Sequence, residues 1–331
     1  MLAIVVYFHY WFSQITGLRI HKMENELGQP VGPAVFAWRP AAPPPHTPMR
    51  GAHVTLEPLE LARHGDDLWG AFGLTDPGSG TYSAGEHEAR ARAWTYLPVG
   101  PFERRGDFDA AMGAVAALEG SLFFTAVVGG TAVGFLSLMS LAPAVGSAEV
   151  GYVAFSPALQ RSAASTEALF LAMRRALGEG LGYRRLVWKC DALNARSAAA
   201  AHRLGFTYEG TFRQCTVYKG RSRDTAWFSL LDAEWPAVED AFDQYLAAGN
   251  FDASGAQRRP LRECMSESRA AAAAGAAATM ASPAAPPPDN EGDEKVDAEG
   301  KVEGSVRTGD VGSVVGSDSA RSTSFPVKSK P

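Results

Sequence analysis

The chain has little cysteine, no membrane-length apolar run and no basic excess, and each shortage removes a class of protein. Its three cysteines, Cys190, Cys215 and Cys264, are odd in number and form no Cys-x-x-Cys pair. A disulfide scaffold and a cysteine-type zinc site are excluded, no metal is expected, and a reducing, cytoplasmic setting is the simpler reading. Lys plus Arg total 31 against 36 Asp plus Glu, a net charge of −5. That sign argues against a nucleic-acid partner, which calls for a basic surface. Residues 2–12 (LAIVVYFHYWF) are apolar, yet shorter than the ~20 residues that cross a bilayer. No cationic stretch precedes them, so they read poorly as a secretory signal. A short anchor or organelle-targeting segment stays open beside a plain extension ahead of Met23. Residues 265–331 hold one aromatic, Phe325, too little apolar surface to offset the entropy of ordering. There is no intact Walker A loop and no Rossmann glycine fingerprint.

Three regions follow. Residues 1–52 are an N-terminal extension and a Pro-rich arm, in which Phe36 and Trp38 can dock on the domain. Residues 53–250 are one compact domain. Residues 251–331 are a disordered Ala/Gly/Ser-rich tail, and deleting 265–331 should leave the melting temperature nearly unchanged.

The compact part reads as α/β. His53–Pro58 alternates like a first strand, and Ala62–Phe72 and Asp107–Leu118 look helical. Thr95–Pro101 is an irregular link. Phe123–Val128 and Ala132–Met139 flank Gly129-Gly130 as a hairpin. Glu149–Phe155 is a strand, and Thr166–Leu181 a helix ending near Gly182. Arg185–Cys190 is a further strand and Asn194–Leu204 a short helix. Thr207–Val217 and Thr225–Leu231 flank a Lys219-Gly220 turn, and an amphipathic helix around Trp235–Leu246 closes the domain. The hairpins build antiparallel pairs. The 149–190 crossover is right-handed and adds one parallel pair. A ligand is expected where the carboxyl ends of those parallel strands meet a helix start, at residues 156–167, since free amides and the helix dipole there suit a pyrophosphate. An ordinary Ser/Thr-capped helix is the alternative. Cys190 and Cys215 are expected to be buried or half-buried strand residues.

The run Glu149-Val150-Gly151-Tyr152, then Gln160 to Ala168, Asn194-Ala195-Arg196-Ser197 and Leu204-Gly205-Phe206 resembles the GNAT N-acetyltransferase superfamily, especially its Rim-type, ribosomal-protein branch. The resemblance covers roughly residues 53–235. It implies a mixed, mostly antiparallel sheet with one splayed parallel strand pair, flanked by helices. It also implies acetyl-CoA as co-substrate, lying along Tyr152, Val153, Ala154 and Phe155. The pyrophosphate would sit on Gln160, Arg161, Ser162, Ala163, Ala164, Ser165 and Thr166, with Asn194 on the CoA arm. The acceptor would be a small-molecule amine or a protein N-terminus. The family's phosphate loop is Gln/Arg-x-x-Gly-x-Gly/Ala. Here Gln160 is kept, while Ala163 and Ser165 take the two small positions.

Acetyl transfer to an amine requires the neutral amine, whereas alkyl ammonium groups titrate near ~10. Glu149 is the candidate base, and strict alternation places it on one face with Gly151, Val153 and Phe155. The Tyr that many family members place five residues before the Phe of Gly-Phe is Ala201 here. The resemblance then implies Ser197 as the proton source for the leaving thiolate. Alternatively, Asn194 and Ser197 are a helix cap and its first turn. Tyr96 and Phe102 are candidates for an acceptor wall. A non-catalytic CoA-binding or interaction protein on the same scaffold is the rival function.

Overall fold

The computed structural model describes residues 24–74, 83–253 and 255–281. The apolar segment 2–12 and the tail beyond residue 281 lie outside the described residues. One sheet of eight strands runs in the order β1-β2-β3-β4-β5-β6-β8-β7. β1 (Met49–Arg50), β2 (Thr55–Pro58), β3 (Leu122–Val128), β4 (Thr131–Ala142) and β5 (Ser147–Phe155) pair antiparallel in turn. β6 (Arg185–Asp191) joins β5 in parallel, and β8 (Arg221–Leu231) and β7 (Thr207–Tyr218) follow antiparallel. The turns dictate the hairpins. Gly129 and Gly130 have φ of 59° and 87°, and Lys219 and Gly220 of 47° and 70°. Two positive φ values make the tight turn whose twist matches paired strands.

Each sheet face buries a separate core. On one, Val150, Leu186, Trp188 and Phe228 pack with α4 (Ala163–Leu177) and α6 (Trp235–Leu246). On the other, Phe123 and Phe135 meet α1 (Leu61–Phe72) and α3 (Arg105–Ala116) through Leu68, Phe72, Phe108 and Met112. Trp94 fills the centre of this second core, edge-on to Phe102 with centroids 5.0 Å apart. Phe102 is thus a core residue, not an acceptor wall, because the 95–102 link folds inward over α3. In the arm, Trp38 docks as expected, its Nε1 donating to the Ala144 carbonyl at 3.1 Å.

Three expectations need correction. The crossover helix ends at Leu177 and not Leu181, because Gly178, Glu179 and Gly180 follow. A helix absent from the sequence reading, α2 (Ala84–Ala93), precedes the 95–102 link. It is polar all round, so no apolar stripe marks it. Its signal is a capping box, in which Ser83 accepts from the Glu86 amide and Glu86 from the Ser83 amide.

The third concerns the tail. Residues 251–281 are not a disordered appendage: α7 (Leu261–Ala281) packs on α6, burying Leu261, Cys264, Met265 and Ser268. Ser268 Oγ donates to Asp240 at 2.6 Å, and Arg269 donates to the Gly205 carbonyl at 2.7 Å. Ending the chain at residue 264 removes these contacts. Losing one buried Met and two hydrogen bonds costs about 3 kcal/mol, a fall of roughly 6–12 °C in melting temperature. Ending it after Pro283, the boundary of the first compact unit, removes none of them. Differential scanning fluorimetry of the two truncations checks this.

Candidate functional site

β5 and β6 are hydrogen-bonded only at their starts. Their register pairs Ser147–Val150 with Arg185–Trp188 and then stops. Beyond it β6 continues on β8 alone, through Lys189, Cys190 and Asp191. The two strands therefore splay, leaving the β6-facing edge of Gly151–Phe155 without a strand partner. Such an edge presents amides and carbonyls to an extended ligand.

A bulge shapes the same stretch. Ser137 faces Gly151 while Phe135 faces Ala154, so two residues of β5 oppose one of β4, and Tyr152 has φ of 50°. The extra residue switches the faces of everything after it. Val153 and Phe155 turn toward the α4 core, while Tyr152 and Ala154 turn toward the α1/α3 core, Tyr152 against Phe123 at 5.2 Å. Glu149 thus shares a face with neither Val153 nor Phe155, which corrects the strict alternation.

The loop after β5 is tied down from within. Gln160 Nε2 donates to the Phe155 carbonyl at 2.7 Å, and Ser162 caps α4 by accepting from the Ser165 amide at 3.0 Å. Arg161 takes a left-handed φ of 60°. The amides of Ala163 and Ala164 donate to no protein acceptor. They point out of the helix start, where dipole and free N–H groups favour an anion. Ser165 and Thr166 face inward, both buried, and Arg203 donates to Thr166 Oγ1 at 3.2 Å. Ser165 and Thr166 are therefore helix packing, as is Arg203, while the amides of half-buried Ala163 and buried Ala164 lack a protein partner.

The loop's footing is Glu167. Its buried carboxylate accepts from the amides of Ala52, His53 and Val54 at 2.7, 2.6 and 3.0 Å. Gly51 is needed beside it, since a Cβ there would stand 2.2 Å from the Glu167 carboxyl carbon.

On the face of β5 opposite α4, Glu149 is 7% exposed. Its Oε2 accepts from Ser140 Oγ at 3.0 Å and from Lys189 Nζ at 2.7 Å. A second bulge makes the first contact possible, as Ser140 has φ of 49° where β4 slips register. Lys189 Nζ also lies 4.1 Å above the Trp227 ring, against which Phe212 leans at 4.9 Å. Nothing in the sequence marks Lys189, because its partnership depends on the register of three strands.

Across the cleft, Asn194 caps α5 (Ala195–Arg203) by accepting from the Ser197 amide at 3.2 Å. Ser197 Oγ accepts from Trp188 Nε1 at 3.0 Å. Burial pushes the Cys190 thiol up, so it holds its proton beside Ser197. Cys215, expected to be at least half-buried, is exposed, because β7 is an edge strand. His202 packs edge-on to Phe228 at 5.2 Å.

Ties from three segments form a rim. Tyr96 OH donates to the Leu193 carbonyl at 3.2 Å, Tyr218 OH to Asp191 Oδ2 at 2.8 Å, and Lys219 Nζ to the Trp94 carbonyl at 2.6 Å. Burial, then the Asp191 bond, push the Tyr218 hydroxyl up to about 12. A free tyrosine titrates near ~10, so the folded chain holds this proton longer than the unfolded one. The contribution of Tyr218 is constant below pH about 10 and declines between about 10 and 12. Tyr218→Phe should remove the last tyrosinate step from an ultraviolet pH titration. A cavity of about 270 Å³ lies between the segments that follow the two parallel strands, lined by Pro157, Gln160 and Arg196 and roofed by Ala89 and Arg92 of α2. Among the described residues no cluster of His, Cys, Asp and Glu is placed to hold a metal ion, and no helix is long and apolar enough to cross a membrane.

The acetyltransferase (GNAT) domain model matches residues 54–207. A GCN5-related N-acetyltransferase from Brucella melitensis is 38% identical, covers 70% of this chain and 100% of its own, and superposes with a TM-score of 0.63. A probable acetyltransferase of the GNAT family from Chromobacterium violaceum is 40% identical over 63% of this chain and 98% of its own, with a TM-score of 0.55. Among curated proteins, none matches the chain.

Proposed function

The chain belongs to the GNAT acetyltransferase family, and from that premise we propose that it moves an acetyl group from acetyl-CoA to a primary amine by direct transfer in a ternary complex. The splay of β5 from β6, with free loop amides at its mouth, carries this reading. The residues suit acetyl-CoA as co-substrate. The open edge at Gly151–Phe155 takes the pantetheine arm, and the Ala163 and Ala164 amides take the pyrophosphate. Main-chain donors need no side chain, so Ala in place of Gly narrows the approach without removing a donor.

The amine nitrogen attacks the thioester carbonyl carbon, forming the C–N bond as the C–S bond breaks. Glu149 receives the amine's proton through its second oxygen, directly or by way of water. An amide freed by the splay polarises the carbonyl, a contribution typically worth ~10²–10³-fold. Ser197 relays a proton toward the leaving thiolate. Its Oγ accepts from Trp188, which leaves the hydroxyl hydrogen to be donated, with Cys190 beside it. Asn194 lies at the start of α5, beside the CoA arm. The Asn194–Ser197 spacing with Ala201 supports the Rim-type branch within the family. The acceptor is then a protein N-terminus or a small amine reaching the cleft past Tyr96 and Tyr218.

One observation favours a second reading, a non-catalytic CoA-binding protein: Glu149 Oε2 is already paired with Lys189. Calorimetry with acetyl-CoA, followed by free-thiol release against small amines and N-terminal peptides, separates the two. Amine-dependent release with an acetylated product supports the enzyme. Binding without turnover across the panel supports the scaffold. Absence of binding removes both.

A further inference from the structure

We propose that Lys189 is itself an acceptor, and that the chain acetylates this one lysine within its own cleft. This rests on the reading of the cleft as an acetyl-CoA site. Lys189 is the first β6 residue beyond the last β5–β6 pair, so it stands where the strands part. Its amine contacts the candidate base at 2.7 Å, and its side chain is 24% exposed. No other lysine among the described residues touches Glu149. Lys219 is tied to the Trp94 carbonyl instead.

The step balances. Lys189 passes a proton to Glu149, and its neutral Nζ attacks the thioester carbonyl carbon. The amide C–N bond forms, the C–S bond breaks, and the thiolate leaves to take a proton. No oxidant or further reactant enters. The product is a neutral amide, which keeps one N–H but cannot form an ion pair with Glu149 or hold a cation over Trp227. Acetylation therefore removes the cation from beside the Glu149 carboxylate, and the modification reports on, and alters, the site that makes it.

Well-oriented groups within one molecule react as if at ~10⁵–10⁸ M, so Lys189 should outpace every lysine that reacts from solution. The sequence holds seven lysines, and six serve as internal controls. The experiment incubates the full chain with acetyl-CoA and no added amine, and follows intact mass and lysine-containing peptides. One acetyl group per chain is expected, on Lys189, at a fractional rate independent of chain concentration. Lys189→Arg, which keeps a cation for Glu149 and Trp227, should keep the melting temperature and lose the label. Glu149→Gln should slow labelling roughly 10²-fold or more. Acetyl groups spread evenly over the seven lysines, or a fractional rate rising with chain concentration, overturn the proposal. So does an unmodified Lys189 in a chain that binds acetyl-CoA and acetylates an added amine, an outcome that leaves the enzyme reading standing. Absence of acetyl-CoA binding by calorimetry overturns both.

Discussion

Glu149→Gln should lower kcat for amine acetylation by roughly 10²–10⁴-fold, the usual worth of a positioned general base. The substitution keeps the shape of the side chain and its bond from Ser140, but removes the charge that accepts the proton. KM for acetyl-CoA should stay within about twofold, because in the proposed function the β5 edge and the Ala163 and Ala164 amides hold the co-substrate, not the Glu149 side chain; a base lost from the reacting centre alone shows in kcat. The ion pair to Lys189 is lost as well. Lys189 keeps the Trp227 face and part of its exposure to water, so the stability cost should be about 2 kcal/mol, below the ~3–5 kcal/mol of breaking a fully buried pair. Steady-state kinetics alongside thermal melting separate the two effects. An unchanged kcat would end the assignment of Glu149 as base. A collapse of the melting temperature would mean that the ion pair serves the fold first.

The second large effect concerns stability. Glu167→Ala leaves the amides of Ala52, His53 and Val54 without their shared acceptor, at a site where Val54 is buried and Ala52 and His53 stay partly open to water. A buried donor left unmet costs about 1–3 kcal/mol. One such donor, with two more that water partly satisfies, gives about 2–3 kcal/mol, or roughly 4–12 °C for a domain of this size. Glu167→Gln should fall between, because one oxygen still accepts while the new amide nitrogen faces donors. Because Glu167 sits just beyond the first turn of α4, the variant should also weaken acetyl-CoA binding, through loss of order in the segment Arg161–Ala164. Thermal melts and calorimetry on the same preparations test both halves. A Glu167→Ala chain as stable as the parent would show that β2 is anchored elsewhere.

The expected site residues divide by how their roles are set. Gln160 to Ala164 occupy the loop where their order along the chain put them. Asn194 and Ser197 take the cap geometry that their three-residue spacing allows. Val153 and Phe155 do not share a face with Glu149, because the bulge at Tyr152 is imposed by the pairing of β5 with β4. Lys189 escaped notice since nothing local marks it. It lies 40 residues along the chain from Glu149, and parallel pairing alone brings them together. Phe102 reads as a loop residue until Trp94 and Phe108 enclose it.

By itself the sequence determined the hairpins, the single crossover and the place of the cleft. These follow from short-range rules: two positive-φ residues close a hairpin, periodicity separates strand from helix, and a strand–helix–strand unit can cross only one way. The tertiary structure alone decided which side chains meet. A bulge changes faces by one residue, a polar helix such as α2 needs a roof to cover, and α7 orders because α6 offers a surface to its Leu261, Cys264 and Met265. The pairing of Glu149 with Lys189 belongs to this second kind, because strand register is a property of the whole sheet and not of either strand.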